Sequence, residues 1–187
     1  MGRLFPTNSI VILLLLLAPI KSSAQQMALK TNLLYDVLLT PSLGGEIKLG
    51  KNWTASLMCT YNPIKYGDHK WKNFSFQPEG RYWFHRAFTG PFVGANFLWG
   101  GFNIDRMHIG GLYGKHRQGP IVGCGLTVGY QHILSDRWSM EFALGWDYVH
   151  ATYDQYWEGD NPYKDGRFTA DLFLPIGTGI TMVYMIK

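Results

Sequence analysis

His150 and Thr152 stand two residues apart, so on an extended strand they share a face. That pairing suits hydrolysis by a hydroxyl nucleophile. The imidazole takes the hydroxyl proton and a carboxylate holds the imidazole in place. Asp154 and Glu158 are the acids close enough in sequence to serve. Two other sets of reactive groups lead nowhere. Cys59 and Cys124 are the only cysteines, and they fall on strands that are not neighbours, so no disulfide and no thiolate metal site is expected. The acidic run Asp154, Glu158, Asp160 and Asp165 matches no standard calcium-loop spacing, so no metal is expected there, and no cofactor anywhere. A third set is less ordinary: Lys30, Glu46, Lys48, Glu79, Arg81, Glu141, Asp147 and Asp171 are charges set singly into apolar, aromatic stretches.

The elements that carry these charges follow from alternation. In residues 73–84 one set is Phe74, Phe76, Pro78, Gly80, Tyr82 and Phe84, and the other is Ser75, Gln77, Glu79, Arg81 and Trp83. Period two means a strand. The same reading gives strands at 28–35, 43–49, 53–61, 91–101, 121–131, 138–149 and 168–186. Eight antiparallel strands joined by tight turns make an up-and-down barrel. Every charge named above falls on the face opposite the aromatic one. In residues 168–186 the outer set is Phe168, Ala170, Leu172, Leu174, Ile176, Ile180, Met182 and Tyr184, which places Asp171 inside with the others.

The choice of face decides the surroundings. A soluble barrel buries its apolar row, whereas a membrane barrel turns it to lipid and keeps the polar row within. Lys or Arg on the lipid face at mid-bilayer costs about 2–4 kcal/mol, so a wall free of charge fits the second arrangement. Aromatic residues gather near strand ends as interfacial girdles do: Trp53, Tyr82, Phe84 and Trp138 at one end, Tyr61, Trp99 and Tyr148 at the other. The expected fold is therefore an all-β, eight-stranded antiparallel transmembrane β-barrel covering 25–187. Residues 1–24 form a signal peptide, with Arg3, an apolar run over 10–17 and small residues Ser22-Ser23-Ala24 before the cut. Without Arg3 and Lys21 the net charge falls from +4 to +2, and no basic cluster supports a nucleic-acid partner. Pro78 and Pro175 cannot donate to a ladder and should mark bulges or strand ends.

The eight inward charges are expected to pair with one another, since so small a barrel has a bore just wide enough for side chains to fill. The turns at 50–52, 85–90 and 133–137 are short and those at 62–72, 104–119 and 151–166 long, which puts the long ones outside the cell. Among them lie Trp71, Tyr113, Tyr153, Tyr156 and Trp157, interleaved with charge in the manner of a binding surface.

Three stretches carry a resemblance: Leu29-Lys30-Thr31-Asn32-Leu33-Leu34-Tyr35-Asp36, Gln77-Pro78-Glu79-Gly80-Arg81-Tyr82-Trp83-Phe84, and 129–138, which runs Gly-Tyr-Gln-His-Ile-Leu-Ser-Asp-Arg-Trp. Together they resemble an uncharacterised family, defined as a domain of unknown function, of small outer-membrane β-barrels of Bacteroidota. The resemblance implies a surface role linked to fimbriae and supplies no catalytic residue. Gly179, Met182 and Tyr184 also resemble the assembly signal of an outer-membrane barrel's last strand, although Met185-Ile186-Lys187 replaces the usual terminal aromatic. The expected function is thus non-enzymatic, structural or surface-interacting, in the outer membrane of a Gram-negative bacterium. The expected partners are membrane lipid, lipopolysaccharide and a surface protein. Two alternatives stay open. One is a narrow channel. The other is an acyl hydrolase, because His150-Ala151-Thr152 resembles the His and Ser of small barrels that deacylate lipid A.

Overall fold

The computed structural model describes residues 26–66, 69–105, 115–157 and 163–186, and the side chains of all of these but 64–66, 69–71, 105, 115 and 157. The signal-peptide expectation and Tyr113 fall outside the described residues. The order is β1 (Met27–Asn32), a short helix α1 (Leu33–Val37), β2 (Ser42–Lys48), β3 (Trp53–Tyr66), β4 (His69–Trp83), β5 (Gly90–Asp105), β6 (Lys115–Ile133), β7 (Trp138–Trp157), β8 (Tyr163–Leu174) and β9 (Gly179–Ile186).

From β1 to β8 each strand pairs antiparallel with the next, and β9 pairs with both β1 and β7, which closes the sheet on itself. β7 meets β9 along its first part, Trp138 to Ala143, and β8 along its second, Asp147 to Trp157. β8 and β9 are therefore two halves of one final strand, and the fold is a closed eight-stranded antiparallel β-barrel. Closure is complete only toward the short turns. β1 ends at Asn32, so β8 has a single partner, and β3 beyond its pairing with Ser42 has only β4 as a ladder partner among the described residues. At the long-hairpin end the wall is open between β8 and β3.

Register places the aromatic row outward. Trp53 faces Tyr82, Tyr82 faces Val93, Val93 faces Val128 and Val128 faces Leu144, all on the outer wall. Trp53, Trp99, Trp138 and Trp146 are exposed there, while Trp83 is 0 % exposed inside.

Four expectations need correction. First, residues 33–35 do not continue the first strand. The Asn32 side chain accepts the Leu34 N–H at 3.1 Å and caps a helical turn; Asp36 then accepts from Thr31 Oγ1 at 2.7 Å and from the Ser42 N–H at 3.0 Å. Second, Pro78 causes no bulge. The pairs Phe76–Trp99 and Glu79–Asn96 keep one register, and Pro78 faces Leu57. Third, Pro175 does break its strand, and the chain crosses from one face to the other over 175–178. Phe168, Ala170, Leu172 and Leu174 consequently point inward and Asp171 outward, opposite to the expected parity, while Ile180, Met182 and Tyr184 point outward as expected. Fourth, much of the expected long loops is strand, because β3 to β8 stay paired well beyond the apolar wall.

Candidate functional site: a sealed bore and a polar outer rim

From the short-turn end the bore is stopped twice. The turn after β4 holds Phe88 at a positive φ of 65° and tucks Ala87 and Phe88 inward against Trp83. Trp83 packs on Phe92 with ring centroids 4.7 Å apart and gives its Nε1–H to Thr54 Oγ1 at 2.9 Å. Trp83→Phe keeps most of the packing and loses that bond. It should lower the stability of the barrel by about 1 kcal/mol, seen as an earlier unfolding midpoint in heat-modifiable gel mobility.

Above this stopper lies the charge cluster. Lys30 Nζ is 2.8 Å from Glu46 Oε2 and 2.7 Å from Glu141 Oε2. Arg81 reaches the same two oxygens at 3.1 Å and 2.8 Å, and Glu79 Oε2 at 2.6 Å. Thr54 Oγ1 donates to Glu46 Oε1 at 2.5 Å, and the Arg81 guanidinium lies 4.5 Å over the Phe92 ring. Four strands, β1, β2, β4 and β7, supply the charged groups and β3 and β5 add Thr54 and Phe92, so the cluster ties together the side of the barrel that the short β1–β2 hairpin completes. Such groups are tolerated in a packed interior only when each has partners of opposite charge, as these have.

Two other expected members sit apart. Lys48 faces the short-turn mouth and donates to Gln26 Oε1 at 3.2 Å. Asp147 accepts the Gly177 N–H at 3.0 Å, from the inward turn at 175–178. Tyr35 of α1 donates to the Ile176 carbonyl and fastens the helix over that turn. Asp171 is not in the bore at all; the reversal at Pro175 puts it on the outer wall.

Tyr153 and Tyr156 lie on β7 rather than in a loop. Tyr153 points inward, stacks on Phe168 with centroids 6.1 Å apart and lies under Arg117 at 5.3 Å. Tyr156 points outward beside Lys164 and His116. The backbones of Trp71 and Trp157 are paired strand residues. Tyr153 and Tyr156 thus occupy opposite faces rather than one continuous patch.

The outer wall changes character at the long-hairpin end. Its apolar row on β7 runs from Trp138 to Tyr148; below its upper edge the described strands point no Asp, Glu, Lys or Arg outward. Outward charges begin with Lys72 on β4, Asp154 on β7 and Asp171 on β8. Asp154 bonds Lys164 at 2.8 Å, which holds its carboxyl below the usual range, and lies 3.4 Å from Arg167. It is therefore engaged away from His150, and Glu158 falls outside the described residues. The acid that does reach His150 is Asp171, its direct cross-strand neighbour: His150 Nδ1 and Asp171 Oδ1 are 2.7 Å apart. Tyr148 Oη donates to the same oxygen at 2.8 Å. Sequence reasoning missed this partner because the link depends on cross-strand register.

Cys59 and Cys124 are both free and face outward. Among the described residues no group of His, Cys, Asp and Glu is arranged to hold a metal ion. No helix among the described residues is long and apolar enough to cross a membrane, which leaves a strand-built crossing open.

A family model described as a protein of unknown function (DUF3575) matches residues 10–186. The chain belongs to this family. No curated protein and no solved structure matches it. For this DUF3575 chain, then, the functional reading starts from the barrel and its side chains.

Proposed function

We propose that this DUF3575 chain is an outer-membrane β-barrel of a Gram-negative bacterium, exported after cleavage behind Ala24, with a structural or surface-interaction role at its long-hairpin end. The observation that carries this reading is the separation of charge from wall. The outer face is apolar and aromatic across its width, while Lys30, Glu46, Glu79, Arg81 and Glu141 pair inside. The ten residue-to-residue steps of strand from Trp138 to Tyr148 span roughly 25 Å at the usual tilt, the height of the apolar band of a membrane barrel. The resemblance to small outer-membrane barrels of Bacteroidota supports the same location and links the role to fimbriae.

The cluster argues against the channel. Lys30, Glu46 and Glu141 are each at most 2 % exposed and Arg81 5 %, with Trp83 and Phe92 packed beneath them. The barrel then acts through what its outer end touches: membrane lipid, lipopolysaccharide phosphates or a surface protein.

Orientation is testable in whole cells. A membrane-impermeant maleimide should label Asp160→Cys and leave Ser135→Cys unlabelled, with the native cysteines replaced. Labelling of Ser135→Cys alone would invert the topology, and recovery of the chain in the soluble fraction would end the membrane reading.

A further inference from the structure

The polar rim of the outer wall holds a group that neither a structural barrel nor a binding surface requires. Asp171 and His150 face each other across β7 and β8 just above the last outward aromatics, Tyr148 and Phe173. The carboxylate takes the Nδ1–H of His150 at 2.7 Å and the Tyr148 hydroxyl at 2.8 Å. A histidine whose Nδ1 donates to a carboxylate keeps the lone pair of Nε2 for a proton, which is the arrangement of a general base. Thr152 is the next outward residue on the same strand. It also lines a groove of about 560 Å³ on this wall, whose apolar side includes Phe74, Trp99 and Pro120 and whose polar side includes Lys72, Arg167 and Asp154, the last 3.4 Å from Arg167, which leaves Lys72 as the cation for an anionic head. An apolar floor under a cationic side chain suits an amphiphile with acyl chains and an anionic head.

We propose that this site hydrolyses acyl esters of outer-leaflet lipids, with Thr152 as nucleophile, His150 as general base and Asp171 as the positioning residue. The inference goes beyond the surface-interaction role and rests on the outer-membrane reading, which places this rim at the depth of lipid ester bonds. In the first half-reaction Thr152 Oγ attacks the ester carbonyl carbon while His150 Nε2 takes the hydroxyl proton. The carbonyl carbon–alkoxy oxygen bond breaks and His150 returns that proton to the leaving alkoxide, which departs as the alcohol. An acyl-threonine remains. Water then attacks the acyl carbon and gives its proton to His150. The bond to Thr152 Oγ breaks, the threonine takes the proton back, and the fatty acid leaves. One water is consumed and nothing is oxidised.

The test uses the full mature chain refolded into vesicles of phosphatidylethanolamine, with and without purified lipid A, and reads released fatty acid by mass spectrometry. Release from one vesicle type or the other names the source of the ester. His150→Ala and Thr152→Ala should each lower release about 10²-fold or more, and Thr152→Ser should retain it. Asp171→Asn should lower kcat with little change in KM, and Asp171→Glu should restore part of the rate. All three sites of change lie on the outer wall, and each variant should keep the heat-modifiable mobility of the folded barrel. A folded wild-type barrel that releases no fatty acid, or full activity in Thr152→Ala, overturns the inference and leaves the outer-membrane reading standing. A chain that does not insert into vesicles overturns both.

Discussion

Arg81→Ala should destabilise the barrel by about 3–5 kcal/mol, the cost of removing one side of a buried ion pair and leaving the other without compensation. Arg81 touches Glu46, Glu79 and Glu141, so its loss leaves three carboxylates with only the Lys30 ammonium among them. It also removes the cation over Phe92. Lys48→Ala is the matched control: it deletes an inward charge whose partner among the described residues is the Gln26 amide and should change stability by less than about 0.5 kcal/mol. Urea titration of the vesicle-refolded variants, followed by gel mobility, gives the comparison. Equal effects would mean that the cluster does not hold the barrel together. Replacing the whole cluster, Lys30, Glu46, Glu79, Arg81 and Glu141, by apolar residues should recover much of the loss, since a packed apolar core often matches a buried ionic one and no lone charge is left behind.

Gly145→Val should be as damaging, for a steric reason. A Cβ at Gly145 would lie 2.7 Å from Gly177 Cα and 2.9 Å from its carbonyl carbon, both backbone atoms that cannot rotate away. The turn at 175–178 is pinned there. Thr178 Oγ1 accepts the Gly145 N–H at 3.0 Å and donates to the Gly145 carbonyl at 3.1 Å, and Gly177 donates to Asp147. Displacing the turn breaks these bonds, each worth about 1 kcal/mol, and adds about 1–3 kcal/mol of overpacking. It also disturbs the point where β7 changes partner from β9 to β8. The folded band should be largely lost. Gly80→Val should fold normally, because a Cβ there meets nothing within 4 Å. Normal folding of Gly145→Val would show that the inward turn is not needed for closure.

These variants also show what could be read from the chain. The wall and bore of β3 to β7 are plain in the sequence because those strands are apolar on one side and polar on the other, so a single parity places Glu79, Arg81, Glu141 and Asp147 together. The same logic fails where the pattern has no second side. Residues 33–39 are mostly apolar whichever way they turn, which hides the helical turn capped by Asn32. The long hairpins are mixed on both faces, so Tyr153 and Tyr156 read as loop when they are strand. Asp171 was assigned inward because parity was carried through Pro175, where the chain changes face. The partner of His150 depends on that same reversal and on the pairing of β7 with β8, a contact 21 residues apart in sequence that no local spacing reveals.

The central claim is that the aromatic wall meets lipid and the charged row does not. Single-tryptophan variants test it most directly: one retains Trp146, 60 % exposed on the outer wall, and the other retains Trp83, fully enclosed in the bore. Each is refolded into vesicles whose acyl chains carry bromine, which quenches indole emission on contact. Trp146 should lose most of its fluorescence and Trp83 almost none. Unquenched Trp146 in a folded barrel, or quenching of Trp83 as strong as that of Trp146, would contradict the account.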